Sequence, residues 1–223
     1  MQTRIKTARN ARGVSQEQQF LKDFKEHYGF SVGVIPTSPL QNLIELQVCL
    51  DRMGPDLIKK CNLDQIAFED MGESREYFPN HGYYCDGETK VTLNSRLVDD
   101  QYAYTSNGIL MSKFQQTFWH EAGHAFDYAL GLISSKDEWL SLSGWTQTPE
   151  KGSGWLNIEI AEPGTDPVRD DWWFSPDAKF TRFYAKRNPW DDFADSFSYY
   201  VGGLHEFLPQ NKIEFFNKYV KAV

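Results

Sequence analysis

Cysteine is scarce in this chain, and its three cysteines follow no recognisable pattern. Cys49, Cys61 and Cys85 include no C-x-x-C pair, and their number is odd. A fully paired disulfide framework needs an even number of cysteines. We therefore expect three buried, reduced thiols rather than one disulfide and a free thiol.

Long hydrophobic runs and an excess of positive charge are missing as well. No run approaches the roughly 18 apolar residues of a membrane span, and the N-terminal stretch lacks the apolar centre of a secretory signal. The formal net charge of −8 gives a nucleic acid no general electrostatic attraction. We therefore expect a cytoplasmic monomer with neither a nucleic-acid nor a membrane partner; delivery out of the cell by a leaderless route is the alternative.

Apolar residues make up 40% of the chain and aromatic residues 15%, which is typical of a globular enzyme. We expect one domain over residues 15–223, with a sheet-containing lobe at 15–131 and a helical lobe at 132–223. A Trp-rich insertion at 144–180 is expected to pack on itself or to wall the active cleft. The basic residues within 1–14 predict a solvated, flexible arm, for which targeting or anchoring is the alternative.

Apolar spacing and chain breakers predict an α+β fold. Helical spacing predicts helices at 15–28, 40–53, 56–61, 115–130, 134–142, 189–202 and 212–220. Alternating apolar residues predict strands at 65–69, 83–85 and 89–94, and a two-residue Asp86-Gly87 turn is expected to join the last two. The strand at 89–94 is either an ordinary sheet strand or the sheet edge, where an extended peptide could pair.

The stretch Phe118-Trp-His-Glu-Ala-Gly-His-Ala-Phe-Asp127 carries the strongest chemical signal. As a helix it places His120 and His124 on adjacent turns, where two imidazoles can bind one metal ion. Glu121 leans toward the same side and can accept a proton from a metal-bound water. H-E-x-x-H therefore predicts two zinc ligands and a general base. The alternative is a packing helix that carries two histidines by chance.

A catalytic zinc site usually has three protein ligands, so two histidines are too few. The glycine and third histidine of the metzincin extension are absent, because Asp127 and Leu130 stand in their places. Cys85 could serve a deformylase-like site, but the glycine-rich signals of such a site are missing around it. No motif supports the remaining histidines, which are His27, His81 and His205. The candidate acids lie together on a later predicted helix and are Asp191, Asp192 and Asp195.

Two motifs resemble those of the zinc peptidases typified by the catalytic domain of anthrax lethal factor and by the small Pro-Pro endopeptidases. In that group H-E-x-G-H-A-x-D is followed by Y-x6-E-x-F-A-E-x-F. The first motif here spans residues 120–127, and the second runs from Tyr184 to Phe197 and includes Asp191-Asp192-Phe193-Ala194-Asp195. The resemblance covers residues 118–131 and 183–201. It implies a zincin-like fold with N-terminal helices, a small mixed sheet, an active-site helix and a C-terminal helical subdomain.

The resemblance further implies that Asp191 binds one catalytic Zn²⁺ together with His120 and His124. Both glutamates of the family motif are aspartates here. Because aspartate is one methylene shorter, either the later helix approaches the metal more closely or Asp192 is the ligand.

The other catalytic roles also follow from the resemblance. Glu121 would be the base, and Tyr184 would donate a hydrogen bond to the developing oxyanion. Asp195 would hold a ligand histidine in its orientation, and Asp127 would belong to the same outer layer around the metal.

A zinc-dependent endopeptidase, a metalloprotease acting on protein or peptide substrates, is therefore the expected function. A zincin-fold binding or structural protein with a degenerate site is one alternative, and the shortened acids favour it slightly. A zinc hydrolase of a non-peptide amide is the other. The interval between the two motifs is expanded by the Trp-rich segment, so the family's substrate preference is not transferred.

Overall fold

α-Helices and short β-strands both contribute to this α+β chain. The computed structural model describes residues 16–33, 40–72, 81–97, 103–106, 109–149, 151–152, 154–157 and 172–221. Its helices are α1 (Gln16–Tyr28), α2 (Leu40–Lys60), α3 (Lys113–Ala129), α4 (Asp137–Ser143), α5 (Pro189–Gly202) and α6 (Gln210–Lys221). Its strands are β1 (Ser31–Gly33), β2 (Gln65–Glu69), β3 (Gly82–Cys85), β4 (Lys90–Asn94), β5 (Ala103–Ser106), β6 (Ile109–Ser112), β7 (Trp145–Thr146) and β8 (Trp173–Phe174).

The largest sheet has four strands in the order β1-β2-β4-β3. β1, β2 and β4 are parallel, and β3 runs antiparallel to β4 with Tyr84 opposite Val91. β4 is therefore an interior strand, and the expectation that it could form the edge is wrong because β3 folds back outside it. The prediction of a two-residue turn is also wrong. A 3₁₀ turn at Asp86–Glu88, followed by Thr89 with φ 45°, connects β3 to β4.

α3 lies between the sheet and α5. Phe114 of α3 stacks on Phe68 of β2, and Tyr128 approaches Tyr84 of β3, so the helix covers one face of the sheet. The opposite side of α3 packs along α5, where Gly123 of α3 lies against Ala194 of α5. One hydrophobic core runs through these elements from Phe24 to Phe216.

α2 contains the break that the Gly54-Pro55 pair predicts. Gly54 adopts φ 74° and ψ 159°, and helical structure resumes at Pro55. Just before the break, Arg52 donates hydrogen bonds to the carbonyl oxygens of Val201 and Gly202 at 2.8 and 2.7 Å. These carbonyls belong to the last turn of α5, where helix carbonyls lack partners within the helix and attract cations. Arg52 thereby attaches the N-terminal half of the chain to the end of α5.

The described part of the Trp-rich segment forms a small core of its own. Trp145, Trp172 and Phe174 pack together, β7 pairs with β8, and Leu156 bridges to Phe174. Residues 158–171 lie outside the described residues, so packing of the whole insertion on itself stays a prediction. Trp172 also meets Trp190 of α5 edge-on at 5.8 Å, which joins this small core to the helix that carries the candidate acids.

The three cysteines are free. Cys49 and Cys61 are buried, and the expectation of three buried thiols is wrong for Cys85, which is only partly buried. Cys85 ends β3, and none of the strands that the structure describes lies on the outer side of β3 in the sheet. No helix in the described ranges is both long and apolar enough to cross a membrane. The predicted arm at 1–14 lies outside the described residues.

Candidate metal centre

α3 fixes the spacing of the two motif histidines. Its first turn is closed by a reciprocal cap, in which Ser112 Oγ accepts from the Gln115 amide and Gln115 Oε1 accepts from the Ser112 amide, both at 3.2 Å. His120 and His124 follow on successive turns, and their Nε2 atoms lie 3.2 Å apart. The helix geometry alone thus brings two potential ligand atoms to one point.

Gly123 lets α5 approach α3 at backbone distance. A Cβ atom on Gly123 would lie 2.9 Å from the Ala194 Cα atom and 3.1 Å from its carbonyl oxygen. Such contacts are too short for any larger residue, so the close helix crossing requires glycine at this position. The crossing places Asp191 and Asp195 of α5 opposite the two histidines.

We expect Gly123→Ala to lower the free energy of unfolding by about 1–3 kcal/mol, because the added methyl group must push α5 away from α3. Denaturant unfolding measures this effect, and zinc affinity should fall with it. Gly87→Ala is the matched control, since a Cβ atom there meets nothing within 4 Å. Equal unfolding free energies for Gly123→Ala and wild type would contradict the role of this crossing.

The third candidate ligand atom completes a compact triangle. Asp191 Oδ1 lies 3.7 Å from His120 Nε2 and 3.6 Å from His124 Nε2. A point equidistant from the three atoms lies about 2.0 Å from each, and zinc–nitrogen and zinc–oxygen bonds are about 2.0–2.2 Å long. The donor set of two imidazoles and one carboxylate therefore fits a zinc ion.

Asn188 holds Asp191 in this position. Its Oδ1 caps α5 by accepting from the Asp191 amide at 2.8 Å, and its Nδ2 donates to Asp191 Oδ2 at 2.9 Å. One carboxylate oxygen is thus fixed by the cap, and the other oxygen faces the histidines.

Asp192, the alternative ligand, is committed elsewhere. Its Oδ1 accepts from Lys212 Nζ at 2.5 Å, and its Oδ2 accepts from Trp145 Nε1 at 3.1 Å. The carboxylate is fully buried in this arrangement and is not part of the ligand triangle. The geometry therefore selects Asp191 over Asp192 as the third candidate ligand.

Asp195 lies behind His120, where the resemblance places it. Its Oδ1 is 2.7 Å from His120 Nδ1, which orients the ring so that Nε2 faces the triangle. Arg182 forms a two-pronged ion pair with Asp195, and Gln116 donates a further hydrogen bond at 3.3 Å. Burial opposes ionisation of Asp195 and is the largest single influence on it. The charges and hydrogen bonds of Arg182 and His120 together outweigh burial and hold the pKa of this carboxyl well below its usual range.

Glu121 is buried beside the triangle. Burial raises the pKa of its carboxyl, and the neighbouring His120 and His124 partly oppose this rise. A carboxyl with a raised pKa accepts a proton more readily than an exposed one, which suits a general base.

Tyr184 lies next to the same histidine, with its ring centroid 5.6 Å from that of His120. Burial raises the pKa of its hydroxyl, and the charge of Asp191 raises it further. The phenol therefore keeps its proton at neutral pH and can donate a hydrogen bond.

Asp127 does not contact a ligand histidine. Its two carboxylate oxygens accept from the backbone amide and the hydroxyl of Ser134, at 2.8 and 2.5 Å. The expectation that Asp127 belongs to the outer layer of the metal site is therefore corrected: the residue anchors the turn after α3, and only its charge acts on His124.

The sequence did not point to three residues that support the candidate ligands directly or through Asp195, namely Asn188, Arg182 and Gln116. Asn188 had a usable signal, because Asn before Pro at a predicted helix start is typical of an N-cap. Arg182 and Gln116 had none. The contact of Gln116 with Asp195 depends on how α3 and α5 cross, and that of Arg182 depends on how the chain before α5 folds against this helix.

No protein-family model matches the sequence, and no curated protein shows significant similarity to it. The family resemblance therefore depends on the two motifs alone, and the geometry above is independent of it.

Proposed function

We propose that this protein is a zinc-dependent endopeptidase with a zincin-like fold. The observation that carries the proposal is the triangle of His120 Nε2, His124 Nε2 and Asp191 Oδ1, which surrounds one point at zinc-bonding distance. Glu121 is buried beside this point on the same helix. Metal-assisted hydrolysis needs metal ligands and a nearby base. Here the ligands are two histidines and one aspartate from a helix distant in sequence, and the base is Glu121.

The sheet supports a peptide as the substrate. β3 is an edge strand, and the structure places no described strand outside it. A Cβ atom on Gly82 of β3 would lie 3.3 Å from Thr117 Cγ2, so the edge runs close along α3 three residues before His120. We propose that an extended peptide pairs with this edge and reaches the ligand triangle from there.

Each site residue then has a role in hydrolysis. Zinc, when bound, supplies a Lewis acid that polarises the scissile carbonyl and lowers the pKa of water. Glu121 accepts the proton of the attacking water and passes it to the leaving amine. Tyr184 donates a hydrogen bond to the carbonyl oxygen as negative charge develops on it.

The first test compares the two neighbouring aspartates. We expect Asp191→Asn to weaken zinc binding by more than about 100-fold. Loss of an outer hydrogen-bond partner costs roughly 10–100-fold, and loss of a direct ligand should cost more. Asp192→Asn should stay within a few-fold of wild type, provided that circular dichroism shows it folded, since Asp192 contacts Lys212 instead. Zinc affinity is measured by competition with a chromophoric chelator. Zinc loss in Asp192→Asn alone would overturn the proposed site.

A second measurement separates the peptidase from its alternatives. The zinc-loaded protein is incubated with a broad peptide library, and the products are identified by mass spectrometry. Cleavage at internal bonds is expected for an endopeptidase. Stoichiometric zinc without any cleavage would contradict the proposal and select a binding protein or a hydrolase of non-peptide amides.

A further inference from the structure

Arg182 contacts two separate parts of the candidate metal centre. Its Nε and Nη2 atoms donate to the two oxygens of Asp195 at 2.7 and 2.6 Å. Its guanidinium carbon also lies 5.0 Å from the centre of the Tyr184 ring. One side chain thus connects the carboxylate behind His120 with the candidate oxyanion donor.

The chemistry of this contact is specific to arginine. The planar guanidinium meets both oxygens of a carboxylate with two parallel hydrogen bonds and also stacks on an aromatic ring. Asp195 is completely buried in the intact protein, so the orientation of its carboxylate depends on its protein partners. Without Arg182, its carboxylate would lose both the charge and the fork that fix its rotation.

We propose that Arg182 is a positioning residue of the metal centre. It fixes the carboxylate of Asp195, and Asp195 fixes the His120 ring with Nε2 turned toward Asp191 and His124. This inference rests on the proposed metal site, but it concerns a residue whose permanent positive charge prevents it from binding the ion itself.

Arg187 is the matched control. Its guanidinium carbon lies 4.9 Å from the centre of the same Tyr184 ring, almost the distance of Arg182. In the described residues, the side-chain hydrogen bonds and ion pairs to the Asp195 carboxylate come from Arg182, His120 and Gln116, and not from Arg187. Comparing the two arginines therefore separates the effect of the carboxylate contact from that of ring stacking.

The experiment measures zinc affinity by chelator competition for wild type, Arg182→Ala, Arg182→Lys and Arg187→Ala. We expect Arg182→Ala to bind zinc about 10–100-fold more weakly, as other losses of an outer partner do. Arg182→Lys keeps the charge but not the fork, so its affinity should also fall. Arg187→Ala should stay within about threefold of wild type, since its loss leaves the hydrogen bonds that hold the ligands intact.

Chemical rescue gives a second readout that a general loss of stability would not produce. The Arg182 side chain is 24% exposed, so its removal leaves a space that solvent can reach. Guanidinium below denaturing concentrations should enter that space and restore zinc affinity to Arg182→Ala without changing wild type.

The outcomes separate this inference from the proposed function. Wild-type zinc affinity in both folded Arg182 variants would overturn the positioning role and leave the zinc site standing. Equal losses in the Arg182 and Arg187 variants would also overturn it, because the carboxylate contact would then not be the cause. A wild-type protein that binds no zinc would overturn the proposed function and this inference with it.

Discussion

Glu121→Gln is expected to lower peptide turnover by about 10³-fold or more while zinc affinity stays within a few-fold of wild type. Glutamine has nearly the same shape as glutamate, and Glu121 supplies none of the three ligand atoms around the metal position. Its amide cannot accept a proton from water, so the proton transfer at the start of hydrolysis loses its base. Turnover of a library-derived peptide and zinc content of the same sample measure the two effects together.

Glu214→Gln is the control for this substitution, since Glu214 lies on α6 and hydrogen-bonds with Gln210 instead of the site. It should match wild type in both turnover and zinc content. Full turnover by zinc-loaded Glu121→Gln would show that Glu121 is not the base, even if the three ligands were correct. Loss of zinc from this variant would instead show that Glu121 contributes directly to metal binding.

Local periodicity predicted the helices well, because a helix that covers a core repeats its apolar residues every three or four positions. The predicted helix from Ser15 to Tyr28 corresponds to α1, and the predicted break at Gly54-Pro55 is present in α2. Strand order was not predictable in this way. β4 has the same alternating pattern whether it lies at the edge or inside the sheet, so only the pairing with β3 shows that it is interior.

In the candidate site, too, only the features that follow from local helix geometry could be predicted. His120, Glu121 and His124 lie on one turn and a half of one helix, so their relative positions follow from helix geometry and could be predicted from sequence. The resemblance pointed to Asp191 as the third ligand but left Asp192 as the alternative, because the two residues are neighbours in the first turn of α5. Their assignment depends on partners distant in sequence, which are the two histidines for one and Lys212 for the other.

Lys212 is the buried residue that pairs with Asp192 and so gives it a different partner from Asp191. It lies on α6, is 1% exposed, and donates to Asp192, to Ser196 and to the carbonyl of Lys179. Burial lowers the pKa of Lys212 and raises that of Asp192, so each charge depends on the other to stay ionised. The pair links α6, α5 and the Trp-rich segment at a point one residue from the candidate ligand Asp191.

We expect Lys212→Met to lower the free energy of unfolding by about 3–5 kcal/mol, because it leaves the buried Asp192 carboxylate without its counter-charge. Denaturant unfolding at neutral pH measures the loss. Lys218→Met on the same helix is the control: Lys218 pairs with Glu138 at the surface, where solvent screens the pair, so its loss should have a much smaller effect.

The double variant Asp192→Asn, Lys212→Met tests the cause of this loss. If the unpaired charge destabilises Lys212→Met, removing that charge should recover part of the lost stability, since a buried pair replaced by neutral groups often costs little. Additive losses in the double variant would show instead that Lys212 acts through packing against Trp139 and Phe180. Recovered stability with zinc affinity close to wild type would separate the role of Asp192 in folding from that of Asp191 at the metal.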